Sequence, residues 1–467
     1  MRKLIELVPH APPWRWDRGV NFFVPWLLFA WFRLWQGTTA PTLIWQDSKD
    51  YEAIGSQPLW SGGFWFGSRP PLTSFLWKLT GSPGAFAIGQ TVISVVAWGM
   101  LAWTVGTLFP SGWRRMAAFL VILAFATTTP VVLWDRSVLS ESLALSGLAL
   151  LFAASIRLSQ QPSLARAVAL VIVALCCALA RDTEILLPAL LGILLVVFAL
   201  IRRASPRFRL LALTGCALLL AAGFCTATVI ESGRETLNTK DNLYVRVFPY
   251  PARVAWFASH GMPEARQIDD LAKSQSPPTA GAAPTVFPDL TSPRFGRLST
   301  WITHNGASTY ALWEAVHPWL FFFEPLRRPQ QTFDNANGSV TGYAAQNRVT
   351  SGLSPLLWPP WVAMCAIVAA TVVVANERNL SLDRTAHVVI VLGLIGIPAV
   401  LSAWNGDGQE TTRHTLEGLA QIHLGVLIMF VYVVLARPPS QPDMSSLRDT
   451  QRDAAVELPG PATLPAS

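Results

Sequence analysis

Apolar runs of membrane-crossing length recur from Val20 to Ala436, and the polar residues gather between them. A helix needs about 20 mostly apolar residues to cross the hydrocarbon of a bilayer. Ten stretches approach that length: 20–35, 85–109, 116–134, 142–158, 165–180, 184–201, 209–230, 354–375, 386–404 and 416–436. The pattern predicts an all-α polytopic membrane protein with about ten transmembrane helices. Few residues separate the third run from the fourth, or the fifth from the sixth, so tight helical hairpins are expected there.

Composition sharpens this picture. Hydrophobic residues make up 52% of the 467-residue chain, charged residues 13%, and mean hydropathy is +0.39. The charged fraction is about half the roughly 25% of soluble domains. Disorder is excluded, because it needs low hydrophobicity. The net charge of +7 would suggest nucleic acid on a soluble chain. Here the cations fall between apolar runs and report orientation instead. They cluster at Arg114 and Arg115, at Arg157 and Arg166, at Arg202, Arg203, Arg207 and Arg209, and at Arg378 and Arg384. These loops alternate with cation-poor ones. Together with the basic amino terminus they place both termini in the cytoplasm, and the plasma (inner) membrane is the expected location. The first run reads as a retained helix, not a cleaved signal, with Arg33 snorkelling to the outer interface. The five cysteines lie in apolar runs without a CxxC or Cys/His cluster, so no disulfide or thiolate metal site is expected.

Four regions follow. Residues 1–230 form an amino-terminal membrane module with a first outer loop at 36–84. Residues 231–353 form a large outer loop, 354–436 the last three helices, and 437–467 a disordered cytoplasmic tail. Leu72–Leu79 and His317–Arg328 suit helices lying on the membrane surface. Ser274–Pro293, rich in Pro, Ala and Thr, is expected to lack regular structure.

Ionisable residues near membrane depth are costly and are functional candidates for that reason. Those predicted on the outer face are Asp47 and Asp50, Asp135 and Glu141, Asp182 and Glu184, and Asp407 and Glu410. Arg69, Arg136, Arg181, Arg413 and His414 share that face. Carboxylates can hold sugar hydroxyls, take a proton or bind a divalent cation. Guanidinium groups grip phosphate bidentately. Each residue also has a plain structural reading. Asp47 would cap a helix starting at Ser48. Glu141, Asp182 and Glu184 would complement helix dipoles. Arg181 and Asp182 would form a surface pair worth little. P-loop, GxSxG, HExxH and dinucleotide fingerprints are missing from the chain.

Three segments carry a resemblance. The first is Asp47-Ser48-Lys49-Asp50-Tyr51 after helix one, with Arg69-Pro70-Pro71-Leu72 later in the same loop. The second is Trp134-Asp135-Arg136-Ser137-Val138-Leu139-Ser140-Glu141-Ser142, and the third is Arg181-Asp182-Thr183-Glu184-Ile185-Leu186-Leu187-Pro188. With Trp256–Pro263 and Glu410–Leu416, their order resembles the GT-C superfamily of integral membrane glycosyltransferases over residues 1–436. The resemblance implies a seven-helix module plus three carboxyl-terminal helices. It also implies a polyprenyl-phosphate sugar donor, a glycan, lipid or protein acceptor, and no nucleotide cofactor. Asp47, Asp135 and Glu141 would be catalytic. Asp50, Tyr51, Arg69, Arg136, Arg181, Asp182, Glu184, Arg413 and His414 would bind substrate. Many members carry paired acidic residues directly after helix one, whereas Ser48 follows Asp47 here. That departure leaves a divalent cation, Mg or Mn, open as a cofactor. The bilayer is a partner and nucleic acid is not. A transporter or lipid-linked glycan flippase is the rival reading, but its charges should lie near the bilayer midplane.

Overall fold

Helices account for most of the described residues. In the computed structural model the described residues are 20–39, 41–110, 112–201, 206–275, 285–327, 332, 352–406 and 411–436. Among them all regular structure is helical, apart from an isolated parallel bridge between Leu43 and Ser137. Six helices among the described residues are long and apolar enough to cross a membrane: Pro83–Gly106, Glu141–Gln160, Asp182–Ile201, Phe208–Ser232, Arg384–Gly406 and Leu416–Leu435. A seventh span results if Trp113–Ala126 and Thr129–Arg136, bent by 59°, count together. Helices also occupy the remaining runs. Leu164–Ala180 and Trp361–Glu377 are shorter, and Val20–Thr38 is diluted by Trp residues, Pro25 and Arg33. Leu213, Leu220 and Ile201 stand more than two thirds exposed on the outside of the bundle. An apolar exterior of that kind needs lipid around it.

The helices that matter for the site are α1 (Val20–Thr38), α2 (Gln46–Ser56), α3 (Pro71–Thr80), α4 (Pro83–Gly106) and α5 (Trp113–Ala126). They continue with α6 (Glu141–Gln160), α7 (Leu164–Ala180), α8 (Leu186–Ile201), α9 (Pro206–Ser232) and α10 (Arg234–Asn242). Two more between α10 and the last pair are α11 (Ala307–Val316) and α12 (Pro318–Arg327), and the last pair is α13 (Arg384–Gly406) and α14 (Leu416–Leu435). Glycines let α13 and α14 approach closely: a Cβ on Gly425 would stand 2.8 Å from Gly393 Cα. Small residues are the usual means of close helix contact in lipid.

The expected tight hairpin between α5 and α6 does not form. Thr127 and Thr128 turn their hydroxyls onto the carbonyls of Ala124 and Phe125, and Pro130 has no amide hydrogen to continue the ladder. The chain bends there and runs through two short helical turns to Arg136. Ser137 is then extended, and Leu43 pairs with this stretch (Leu43 N–H to Arg136 O, 2.8 Å; Val138 N–H to Leu43 O, 3.0 Å). The α7–α8 connection is short: Arg181 leads into a single turn, 182–185, that continues into α8.

Helices occupy both segments expected to lie on the membrane surface: α3 over Pro71–Thr80 and α12 over Pro318–Arg327. The segment after α9 has its own small core, including Leu243, Phe248, Phe257, Leu298 and Trp313. Asn242 donates to Asn405 O (2.8 Å) and Arg246 to Trp404 O, which fastens this region onto the end of α13. Residues 276–284, the amino-terminal lead-in, the 437–467 tail, and Asp407 with Glu410 lie outside the described residues.

Candidate active site

Four guanidinium groups and at least as many carboxylates converge on one end of the bundle. The positioning starts at α2. Ser48 Oγ accepts the N–H of Trp45 (2.9 Å) and donates to Val138 O (2.7 Å). The first turn of α2 is thereby fixed to the segment that leads into α6. The capping expected of Asp47 is done by Ser48 instead, which leaves the Asp47 carboxylate available to the site. Its Oδ1 accepts from Arg69 Nη2 at 2.7 Å and its Oδ2 from Arg413 Nη2 at 2.9 Å. Arg69 also donates through Nε to Asp50 at 3.0 Å.

Arg413 extends the network inward, because its Nε pairs with the fully buried Glu141 at the start of α6. Arg181 lies 3.3 Å from the same Glu141 oxygen and also pairs with Glu417, near the start of α14. Arg181 Nη2 stands 2.7 Å from His414 Nδ1. On the far wall Arg234, from α10, pairs with Asp182 at 3.0 Å. These groups surround a cavity of about 1020 Å³, whose lining also includes Tyr51, Lys240 and Asp241. Burial pushes the Tyr51 phenol above its ordinary pKa, so it stays protonated as a donor. Burial works against the Arg69 charge, but Asp47, Tyr51 and Asp50 together hold its pKa above the ordinary value.

The sequence-derived residues therefore divide. Asp47, Asp50, Tyr51, Arg69, Arg181, Asp182, Arg413 and His414 line the cavity. Glu141 is buried directly behind Arg413. Glu184 is buried beside Glu417 and Arg181. Asp135 and Arg136 are not part of the lining. Asp135 Oδ2 accepts from Arg33 Nε and Nη2 at 2.8 and 2.6 Å, and its Oδ1 accepts from Ser142 Oγ at 2.8 Å. Arg33 also donates to Ala126 O (2.6 Å) and Ser94 Oγ (2.7 Å). The snorkelling expected of Arg33 is thus replaced by complete burial. The bend after α5 exposes the Ala126 carbonyl, an orphan acceptor at a helix end, and supplies Asp135 as counter-charge. Arg136 donates to Pro41 O at 2.7 Å, and Gln90 Nε2 reaches the carbonyls of Trp134, Asp135 and Ser137. Both charged residues hold the loop that carries the site.

Arg234, Lys240, Asp241 and Glu417 were not singled out from the sequence, and Arg33 was read there only as an interfacial residue. Glu417 had a signal, since it is a carboxylate at the start of an apolar run.

No family model and no curated protein matches this chain. The geometry alone therefore carries the functional reading. Among the described residues no group of three or more His, Cys, Asp or Glu side chains gathers as a metal site. Both Asp47 oxygens are instead taken by guanidinium donors. As placed, the Asp47 carboxylate is committed to Arg69 and Arg413.

Proposed function

We propose that this chain is a membrane glycosyltransferase that moves a sugar from a polyprenyl-phosphate donor to an envelope glycan, lipid or protein acceptor. In this reading all ten apolar helices are spans, and both termini are cytoplasmic. The cavity then opens at the extracytoplasmic face, where no nucleotide is required. The observation that carries the reading is Asp47 held between Arg69 and Arg413 on the wall of a 1020 Å³ polar cavity at the end of an apolar bundle. Such a place suits a substrate with a lipid tail, a phosphate and a sugar.

The chemistry follows from these parts. The prenyl chain lies along the apolar helices with its phosphate at Arg413 and Arg181. The acceptor hydroxyl oxygen attacks the anomeric carbon, and the bond from that carbon to the phosphate oxygen breaks. The electron pair leaves on polyprenyl phosphate, where the guanidinium groups stabilise the growing charge. Asp47 takes the hydroxyl proton. Its pairing with Arg413 loosens as that arginine turns to phosphate, which leaves Asp47 Oδ2 as the accepting atom. Glu141 holds Arg413 from behind and sets where it points. Attack opposite the leaving group inverts the anomeric centre.

The test uses purified full-length protein in bilayer nanodiscs with a lipid extract from its source, and polyprenyl phosphate release is measured by mass spectrometry. Wild-type protein is expected to release it. Asp47→Asn is expected to lower the rate about a hundredfold or more, the scale of a lost general base, with folded protein retained. Release unchanged in Asp47→Asn, or lipid-linked sugar crossing the bilayer uncleaved, would overturn the proposal in favour of transport.

A further inference from the structure

A second site lies at the opposite end of the bundle. There α1, α4, α5, α6 and α7 leave an apolar groove of about 610 Å³, walled by Phe22, Phe23, Trp26, Met100, Trp103 and Phe119. Glu141 starts α6 at the polar cavity, and Arg157 follows 16 residues later on the same helix. At 1.5 Å per residue the two sites are roughly 24 Å apart along the helix axis, close to a bilayer's hydrocarbon thickness.

The groove ends on a cluster of cations. Arg157 and Arg166 both line it. Arg115 lies over the rings of Phe22 and Trp103, at 5.1 and 4.7 Å from their centroids. Arg157 is close enough to feel the charge of both other arginines. The hydrogen bonds made by Arg157 and Arg166 go to neutral groups: Thr104 Oγ1 at 3.2 Å, and the backbone and side-chain oxygens of Gln161 at 2.7 Å. Arg115 Nε is buried without a partner. Three guanidinium groups thus repel one another beside an apolar groove, and among the described residues none of them is ion-paired to a carboxylate. At the polar cavity every guanidinium has a carboxylate, so the contrast is within one molecule.

We propose that this groove binds an anionic phospholipid of the surrounding bilayer. Its phosphate sits among Arg157, Arg166 and Arg115, and an acyl chain lies against Phe22, Trp26 and Trp103. The cations call for a negative headgroup, and the groove calls for a hydrocarbon chain. A free phosphate would leave the groove unfilled, and a zwitterionic lipid would leave the cluster uncompensated. Basic pockets between membrane helices bind anionic headgroups for this reason. The lipid would also join α1 to α4 and α6 at the end away from the Arg33–Asp135 pair.

The experiment measures lipid retention by native mass spectrometry, and thermal unfolding in detergent, on the full chain. The probes are phosphatidylglycerol, phosphatidylcholine and inorganic phosphate. Phosphatidylglycerol is expected to bind and raise the unfolding temperature, with phosphatidylcholine at least tenfold weaker and inorganic phosphate without effect. Replacing both Arg157→Gln and Arg166→Gln is expected to weaken phosphatidylglycerol about thirtyfold, from roughly fivefold per interfacial cation. The matching Arg157→Lys and Arg166→Lys exchange restores most of it, and Arg297→Gln, far away on the outer region, changes nothing. If the double Gln variant does not fold, Arg166→Gln alone carries the test with about a fivefold loss. Equal binding of phosphatidylcholine, an equal shift with inorganic phosphate, or unchanged affinity in the Gln variants overturns the proposal.

Discussion

Asp135 provides the sharpest test of how the site is held. Asp135→Asn removes a charge but little volume. Arg33 would remain 0% exposed, keeping its bonds to Ala126 O and Ser94 Oγ but losing the carboxylate that balances it. Breaking a buried ion pair from one side costs about 3–5 kcal/mol, because the other charge stays buried. That is a factor of roughly 10² to 5 × 10³ in the unfolding equilibrium. Arg33→Met leaves Asp135 with Ser142 alone and should cost a similar amount. Combining the two removes both charges, so the double variant should lose less than the sum by roughly 1–3 kcal/mol. Reversible unfolding in mixed micelles measures all four corners of this cycle. Asp135→Asn protein that does fold should still turn over, because Asp135 is outside the cavity lining. Losses that add within about 0.5 kcal/mol would refute the coupling. Fully stable but inactive Asp135→Asn would refute the structural assignment.

Two further outcomes follow. Arg413 bridges Asp47 and Glu141 through different nitrogens, which a single ammonium cannot reproduce, so Arg413→Lys should lower sugar transfer by at least about tenfold in protein that elutes normally on size exclusion. Away from the cavity, burial pushes the Glu314 carboxyl on α11 up to about 7 against the opposing pull of Arg246. The folded state then holds a proton that the unfolded chain releases near pH 4.5, so this group's contribution to stability falls as pH rises from about 4.5 through 7. Glu314→Gln should flatten that slope in thermal unfolding scans, and an unchanged slope would refute it.

The positions of the apolar helices were legible because their length follows directly from bilayer thickness. The cavity charges were legible because Asp47, Arg69, Arg181 and Arg413 stand where charge is costly without a purpose. What escaped depends on contacts between distant segments. Arg33 looks like a snorkelling residue when α1 is read alone, since nothing local says that Asp135, 102 residues on, will meet it. That meeting depends on the bend after Ala126, written in Thr127-Thr128-Thr129-Pro130, a stretch that the apolar run 116–134 carries through as continuous helix. Glu417 was passed over because one carboxylate at the start of α14 hardly alters an apolar run. Its role needs Arg181, from the α7–α8 connection, to come alongside.

The central claim is that the cavity around Asp47 transfers sugar from a polyprenyl phosphate. Mass spectrometry of cell envelopes tests it most directly in three strains: wild type, a deletion, and the deletion complemented with Asp47→Asn. The account predicts that both mutant strains accumulate one polyprenyl-phosphate sugar and lack one glycan residue. Unchanged lipid-linked and mature pools in the deletion, or an Asn strain that matches wild type, would contradict it.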